Sequence, residues 1–233
     1  MIDNEGLRER LNPDPEHELQ DGADYSQFIS AVPLMVHMAR YGANSEALSY
    51  RDFHVGASAC AVSYDGLKPP MVIGGANYKP DRVTPKYCAE MDVIDHATED
   101  GYNQIIGLVI AATDDPEEIR AVMNRVTPTL HPCDACQTKM EKSHLITPDT
   151  LVVTVALDSD KAQVHTFDDL QMIYELEEEA GRAIMAPTVD LDLANWHERE
   201  RAFDLIMQSS ADNDPVSAAR LVLSASVDLD AYR

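Results

Sequence analysis

Cys88-Ala89-Glu90 and, further along, Pro132-Cys133-Asp134-Ala135-Cys136 are the stretches from which the rest of the chain can be read. Cys133 and Cys136 are spaced so that one helical turn presents both thiols on one side. Cys88 adds a third thiol, and Glu90 follows it closely. Three thiolates leave one position of a tetrahedral zinc open, the arrangement of a catalytic rather than a closed structural site. Zinc lowers the pKa of a water in such a position to about 7. A carboxylate at Glu90 can then shuttle protons without itself holding the metal. The competing readings are a set of core cysteines, or a structural zinc closed by His131. Glu90 and Pro132 favour the open site.

Working outward, both stretches fall at expected helix N-termini, where about half a positive charge stabilises thiolates. Cys88 opens a helix to about Glu99, closed by Gly101, and Cys133 opens another to about Lys142. Upstream, an apolar pattern from about Tyr25 to Arg40 predicts a helix that Pro33 should bend or delay. His54 to Ser63 reads as a buried strand, paired through the Asp65-Gly66 turn with a strand from Met71 to Ala76. Gln104 to Ala112 is the clearest buried strand. Pro116 then sits in the first turn of a helix to about Arg125. Leu151 to Leu157 and Gln163 to Phe167 are further strands, and Asp168 caps a helix ending near Ile184. Strands alternating with helices predict an α/β fold, a three-layer α/β/α sandwich around a mixed sheet of about five strands. Beyond Ala186-Pro187-Thr188, two amphipathic helices follow, Asn195 to Gln208 and one begun by Asp214-Pro215. The expected organisation is an acidic arm over 1–24, a catalytic domain over 25–184 and a helical extension over 185–233.

A ligand, then x-Glu, then Pro-Cys-x-x-Cys is the pattern of zinc nucleobase deaminases. On these residues the chain resembles the cytidine deaminase family in its three-cysteine form, which includes blasticidin-S deaminase-like members. The resemblance runs from about Tyr50 to Leu170. It takes in Tyr50-Arg51-Asp52-Phe53-His54-Val55-Gly56-Ala57, similar to the family's opening strand motif, and Gly75-Ala76-Asn77. It implies a zinc ion on Cys88, Cys133 and Cys136, with Glu90 as the proton-transferring catalytic residue. It further implies Phe53, Asn77, position 79 and Ala89 as substrate contacts, and a homo-oligomer, a dimer or tetramer. Phe53 is equally well read as a core side chain, and Asn77 as a strand-end turn residue. Several positions depart from the family's pattern. Lys79 stands where a ribose-binding glutamate is usual, and Met91 and Gln137 stand where arginines offset thiolate charge. Lys139 or Arg82 are candidates to replace that charge.

Composition narrows the function classes. The net charge of -23, from 18 basic and 41 acidic residues, opposes binding to nucleic acid phosphates. No apolar run reaches the length of a membrane span, and the acidic N-terminus lacks the apolar region of a signal peptide. Cys60 lies in an apolar stretch and reads as a small buried hydrophobe. With no disulfide framework, the expected compartment is the reducing cytoplasm. Against that background Lys79, Arg82 and Lys86 form a local cluster of cations. The expected function is hydrolytic deamination of a cytosine-type base in a free nucleoside. The alternatives are a deaminase of an anionic or modified small molecule, such as a nucleotide or an aminopyrimidine antibiotic, and a catalytically silent zinc-binding module.

Overall fold

The computed structural model describes residues 23–64, 67–123, 127–180, 188–209 and 214–224. Most of the acidic arm, the Asp65-Gly66 turn, and Ala186 and Pro187 of the expected break lie outside the described residues. The elements are α1 (Ala23–Tyr41), a π-helical turn Gly42–Glu46, β1 (Leu48–Ser49), β2 (Gly56–Val62), β3 (Met71–Ala76) and β4 (Tyr78–Lys79). After these come α2 (Ala89–Glu99), β5 (Gln104–Ala112), α3 (Pro116–Met123), α4 (Asp134–Lys142), β6 (Leu151–Ala156) and β7 (Lys161–Thr166). The described chain closes with α5 (Phe167–Ala180), β8 (Val189–Asp190), α6 (Trp196–Ser209) and α7 (Pro215–Ser224).

The main sheet runs β3-β2-β5-β6-β7-β8, with β5 and β6 parallel and the other neighbours antiparallel. Every residue of β2, β5 and β6 is buried, as continuous apolar strands covered on both faces must be. On one face α1, α6 and α7 pack through Phe28, Val32, Trp196, Phe203 and Val222 against Val109, Val153 and Ala162. On the other, α2 to α5 pack through Val93, Ile119, Met140 and Leu170 against Leu108, Ile110 and Val152. The result is a three-layer α/β/α sandwich around a mixed sheet, with the short β8 adding a sixth strand. The register between β2 and β5 skips Ile106, a bulge that puts Ile106 on the same side as Val109 and Ala111. The neighbouring Gly107 leaves room for Phe28, whose ring would stand 2.2 Å from an added Cβ.

Pro33 does not delay α1, which begins well before it and continues beyond it. Proline cannot donate to the carbonyl four residues back, so Ile29 O loses its helical partner. Trp196 Nε1–H donates to that carbonyl at 2.6 Å, which ties α6 to α1 at the point where the helix ladder is broken. The cap of α5 also differs from expectation. Thr166 rather than Asp168 precedes the helix, with Asp169 N donating to Thr166 Oγ1 at 3.1 Å and Thr166 N donating to Asp169 Oδ2 at 2.8 Å. This reciprocal pair is a capping box, and it shortens the preceding strand to end at Thr166.

His165 on β7 is 1% exposed, and its Nε2 carries no hydrogen bond among the described residues. Burial pushes its pKa down to about 3; His131 and Arg220 act in the same direction and Asp169 opposes. The folded chain therefore holds this imidazole neutral. Above pH of about 6.5 both states are neutral and stability is at its full value. Below it the unfolded chain binds a proton that the fold refuses, until the pH nears the folded value. Urea midpoints are expected to fall between pH 7 and 4.5, and to fall less in His165→Asn; equal slopes in the two proteins would contradict this.

Candidate active site

The three thiols are brought together by two helix starts. Cys88 and Cys133 each stand just before a helix in extended backbone, with ψ of 153° and 164°. Their carbonyls accept the first helical bonds, from Asp92 N at 3.1 Å and Gln137 N at 2.9 Å. Gln137 Nε2 donates to Pro132 O at 2.9 Å and so steadies the second start. Cys88 Sγ lies 3.8 Å from Cys133 Sγ, and Cys133 Sγ lies 3.4 Å from Cys136 Sγ. All three sulfurs fall within 4.8 Å of one another. A tetrahedral ion with bonds to sulfur of about 2.3 Å spaces its sulfurs by about 3.8 Å, so the donor set fits a metal ion that prefers thiolates. Contacts with Cys136 and Cys88 hold Cys133 well below the usual thiol range, while contact with Cys133 raises Cys88 and Cys136.

Glu90 lies in the first turn of α2 and is 3% exposed. Burial, then the charge of Cys133, pushes its pKa up to about 7, and the Lys79 ammonium opposes the rise. A carboxyl group titrating near neutrality beside three thiols can give and take protons at working pH. Glu90, Cys88 and Cys133 line one small cavity with Phe53, Asn77, Lys79 and His131.

No family model matches the chain, and no curated protein matches it. Solved structures do. The cytidine deaminase of Burkholderia pseudomallei is 21% identical, with 59% of this chain and 93% of that chain covered and a TM-score of 0.45. The cytidine deaminases of Mycobacterium leprae and Mycobacterium tuberculosis are 16% and 20% identical, each over 59% of this chain and over 93% and 90% of their own lengths, both with a TM-score of 0.40.

The remaining site residues divide by what they touch. Asn77 is 1% exposed, and its carboxamide clips the segment leading into β2: Val55 N donates to Oδ1 at 3.1 Å and Nδ2 donates to Phe53 O at 2.9 Å. Asn77 thereby shapes the wall that Phe53 lines. Ala89 is fully buried in the core under α2 and is absent from the cavity lining. Lys79 is returned beside Cys88 by the Tyr78–Tyr87 bridge, whose paired backbone bonds of 2.8 and 3.0 Å close the loop between them.

The cation cluster of the sequence does not converge. Lys79 alone of its members lines the cavity. Lys86 lies over the Tyr50 ring at 5.7 Å, where Arg51 also stacks at 5.6 Å, and Arg82 is exposed. Lys139 is ion-paired with Asp95, which also accepts from the Tyr87 hydroxyl. Lys79 therefore provides the positive field at Glu90 and Cys133 that Lys139 and Arg82 were candidates to supply. His131, a candidate fourth zinc ligand in sequence, lies outside the converging thiol group and lines the cavity, with its Nε2 3.0 Å from Gln163 Oε1, a partner that no local sequence signal marks.

Proposed function

We propose that the chain is a zinc-dependent hydrolytic deaminase of a cytosine-type base in a free nucleoside, converting cytidine or deoxycytidine to the uracil nucleoside and ammonia. The observation that carries this reading is a buried carboxyl group, tuned towards neutrality, in one cavity with Cys88 and Cys133 of a three-thiol cluster. Cys88, Cys133 and Cys136 would hold the ion. Bound there, zinc supplies Lewis acidity that makes water nucleophilic near neutral pH. Glu90 does the proton work: it protonates ring N3, accepts a proton from water, and delivers one to the departing amine. In the net reaction a water oxygen becomes bonded to C4 as the C4–N bond breaks. Phe53 forms an apolar wall for the base, and the segment clipped by Asn77 keeps it in place. The reading includes a cytoplasmic role in pyrimidine salvage and the homo-oligomer implied by the family resemblance. Among the described residues no helix is long and apolar enough to cross a membrane. Light scattering that returns a monomer mass at micromolar concentration would count against the oligomer.

A second reading, an anionic substrate such as a nucleoside 5′-monophosphate, is favoured by Lys79 in the cavity wall. A lysine serves phosphate as a point charge. Its proximity to Glu90 and Cys133 supports a competing role, since three thiolates on a divalent ion leave a net negative charge that Lys79 offsets. The two roles separate in kcat/KM. The first reading expects wild type to turn over cytidine at least as well as its monophosphate. The second expects a monophosphate preference that collapses, by tenfold or more, in Lys79→Glu. Turnover of neither compound class would sink both.

A further inference from the structure

The face of the sheet under the active site changes character across its strands. On β5 and the start of β6 it is apolar, with Leu108, Ile110 and Val152 in the core. In the register of the sheet, Ile110 on β5 pairs with Thr154 on β6, and Thr154 pairs with Gln163 on β7. His165 lies two residues beyond Gln163, on the same face. Thr154 and Gln163 are fully buried. Elsewhere this face is covered by helices, whose backbone groups are satisfied internally. Here the cover is the irregular segment 127–132, which leads into Cys133. A buried irregular segment needs polar partners, and the sheet supplies them.

The contacts form one connected set. Thr127 Oγ1 donates to Thr129 O at 2.6 Å, and the Thr129 and Thr154 hydroxyls are 2.6 Å apart. Gln163 Oε1 accepts from Thr129 Oγ1 at 3.0 Å and lies 3.0 Å from His131 Nε2. One carboxamide oxygen thus grips two residues that flank Leu130. Leu130, His131 and Cys133 all line the cavity. His131 meets His165 edge to face, with ring centroids 4.9 Å apart, which limits the imidazole from its other side.

We propose that Gln163 is a positioning residue of the active-site wall: its carboxamide oxygen accepts from both Thr129 and His131, holds His131 as the Nε2–H tautomer, and so fixes the approach of the chain to Cys133. The proposal rests on this cavity being the active site, and it acts through the wall rather than through contact with the reacting atoms. A flipped carboxamide makes the opposite demand. Its NH₂ would donate to His131 Nε2 and require the Nδ1–H tautomer. The tautomer of His131 is therefore the discriminating quantity.

The test is long-range ¹H–¹⁵N correlation of the histidine rings in the full chain, with His131 assigned by its loss in His131→Asn. It is applied to wild type, Gln163→Met and Thr129→Val. The proposal expects a single Nε2–H signature in wild type, kept in Thr129→Val and lost or mixed in Gln163→Met. Zinc affinity, read by competition with a chelating dye, is expected to weaken about tenfold in Gln163→Met, the scale of losing a residue that orients a metal site. An Nδ1–H signature in wild type, or an unchanged His131 signature in a folded Gln163→Met, overturns it. If Gln163→Met fails to fold, the wild-type tautomer and the Thr129→Val spectrum still decide. The spectra need no turnover, so absence of deaminase activity would reject the proposed function while leaving the role of Gln163 to this measurement.

Discussion

Glu90→Ala is expected to retain fold and metal while losing activity by about 10²–10⁴-fold or more, the contribution typical of a general acid/base group. The direction follows from the placement of this carboxyl group. It is buried in the cavity wall and held near a pKa of about 7, so both protonation states are populated at working pH. In the proposed reaction it serves ring N3, the incoming water and the leaving amine in turn, and no other acid among the described residues lines that cavity. Metal content should stay near wild type, because the carboxyl group is not among the three converging ligand atoms. Steady-state turnover, with zinc analysis and a melting curve on the same preparation, checks all parts together. A rate within a few-fold of wild type would remove Glu90 from the mechanism.

Cys133→Ala/Cys136→Ala is expected to take zinc from about one ion per chain to near none. One remaining thiol at Cys88 cannot reproduce a site built by three sulfurs within 4.8 Å. The fold should suffer less than the site. Cys136 is the more deeply buried of the pair, and Cys133 stands before a helix whose start is also held by Gln137 and the Pro132 carbonyl. Where binding free energy contributes to folding, loss of the ion lowers the melting temperature as well. Elemental analysis of the variant beside wild type is the check, and undiminished zinc would show that the ion is held elsewhere.

The parts of this molecule legible in its sequence are those set by local spacing. Cys88 and Cys133 fall just before helices because the residues after them form helices, and the apolar run Gln104–Ala112 reads as a strand because nothing polar interrupts it after Gln104. What escaped depends on partners distant in the chain. Pro33 reads as a helix breaker until Trp196 is seen to occupy the carbonyl it leaves open. Lys139 and Arg82 are the counter-charges the sequence offers, but Lys139 is paired with Asp95 and Arg82 is exposed, while Lys79 is carried to the cavity by the Tyr78–Tyr87 bridge. Asn77 reads in sequence as a substrate contact or a strand-end residue, and only the fold shows that its carboxamide also clips the backbone at Phe53 and Val55. Gln163 carries no local signal, because its meaning comes from the strand register that sets it opposite Thr154 and under the 127–132 segment.

The most direct test of the central claim is ammonia release from cytidine and deoxycytidine by the purified chain, measured before zinc removal by a chelator, after it, and after zinc is restored. The account predicts stoichiometric ammonia and uracil nucleoside from at least one of them, loss of turnover on chelation, and recovery on adding zinc back. Turnover unaffected by complete removal of the metal, or no ammonia from either nucleoside by fully zinc-loaded protein, would contradict it.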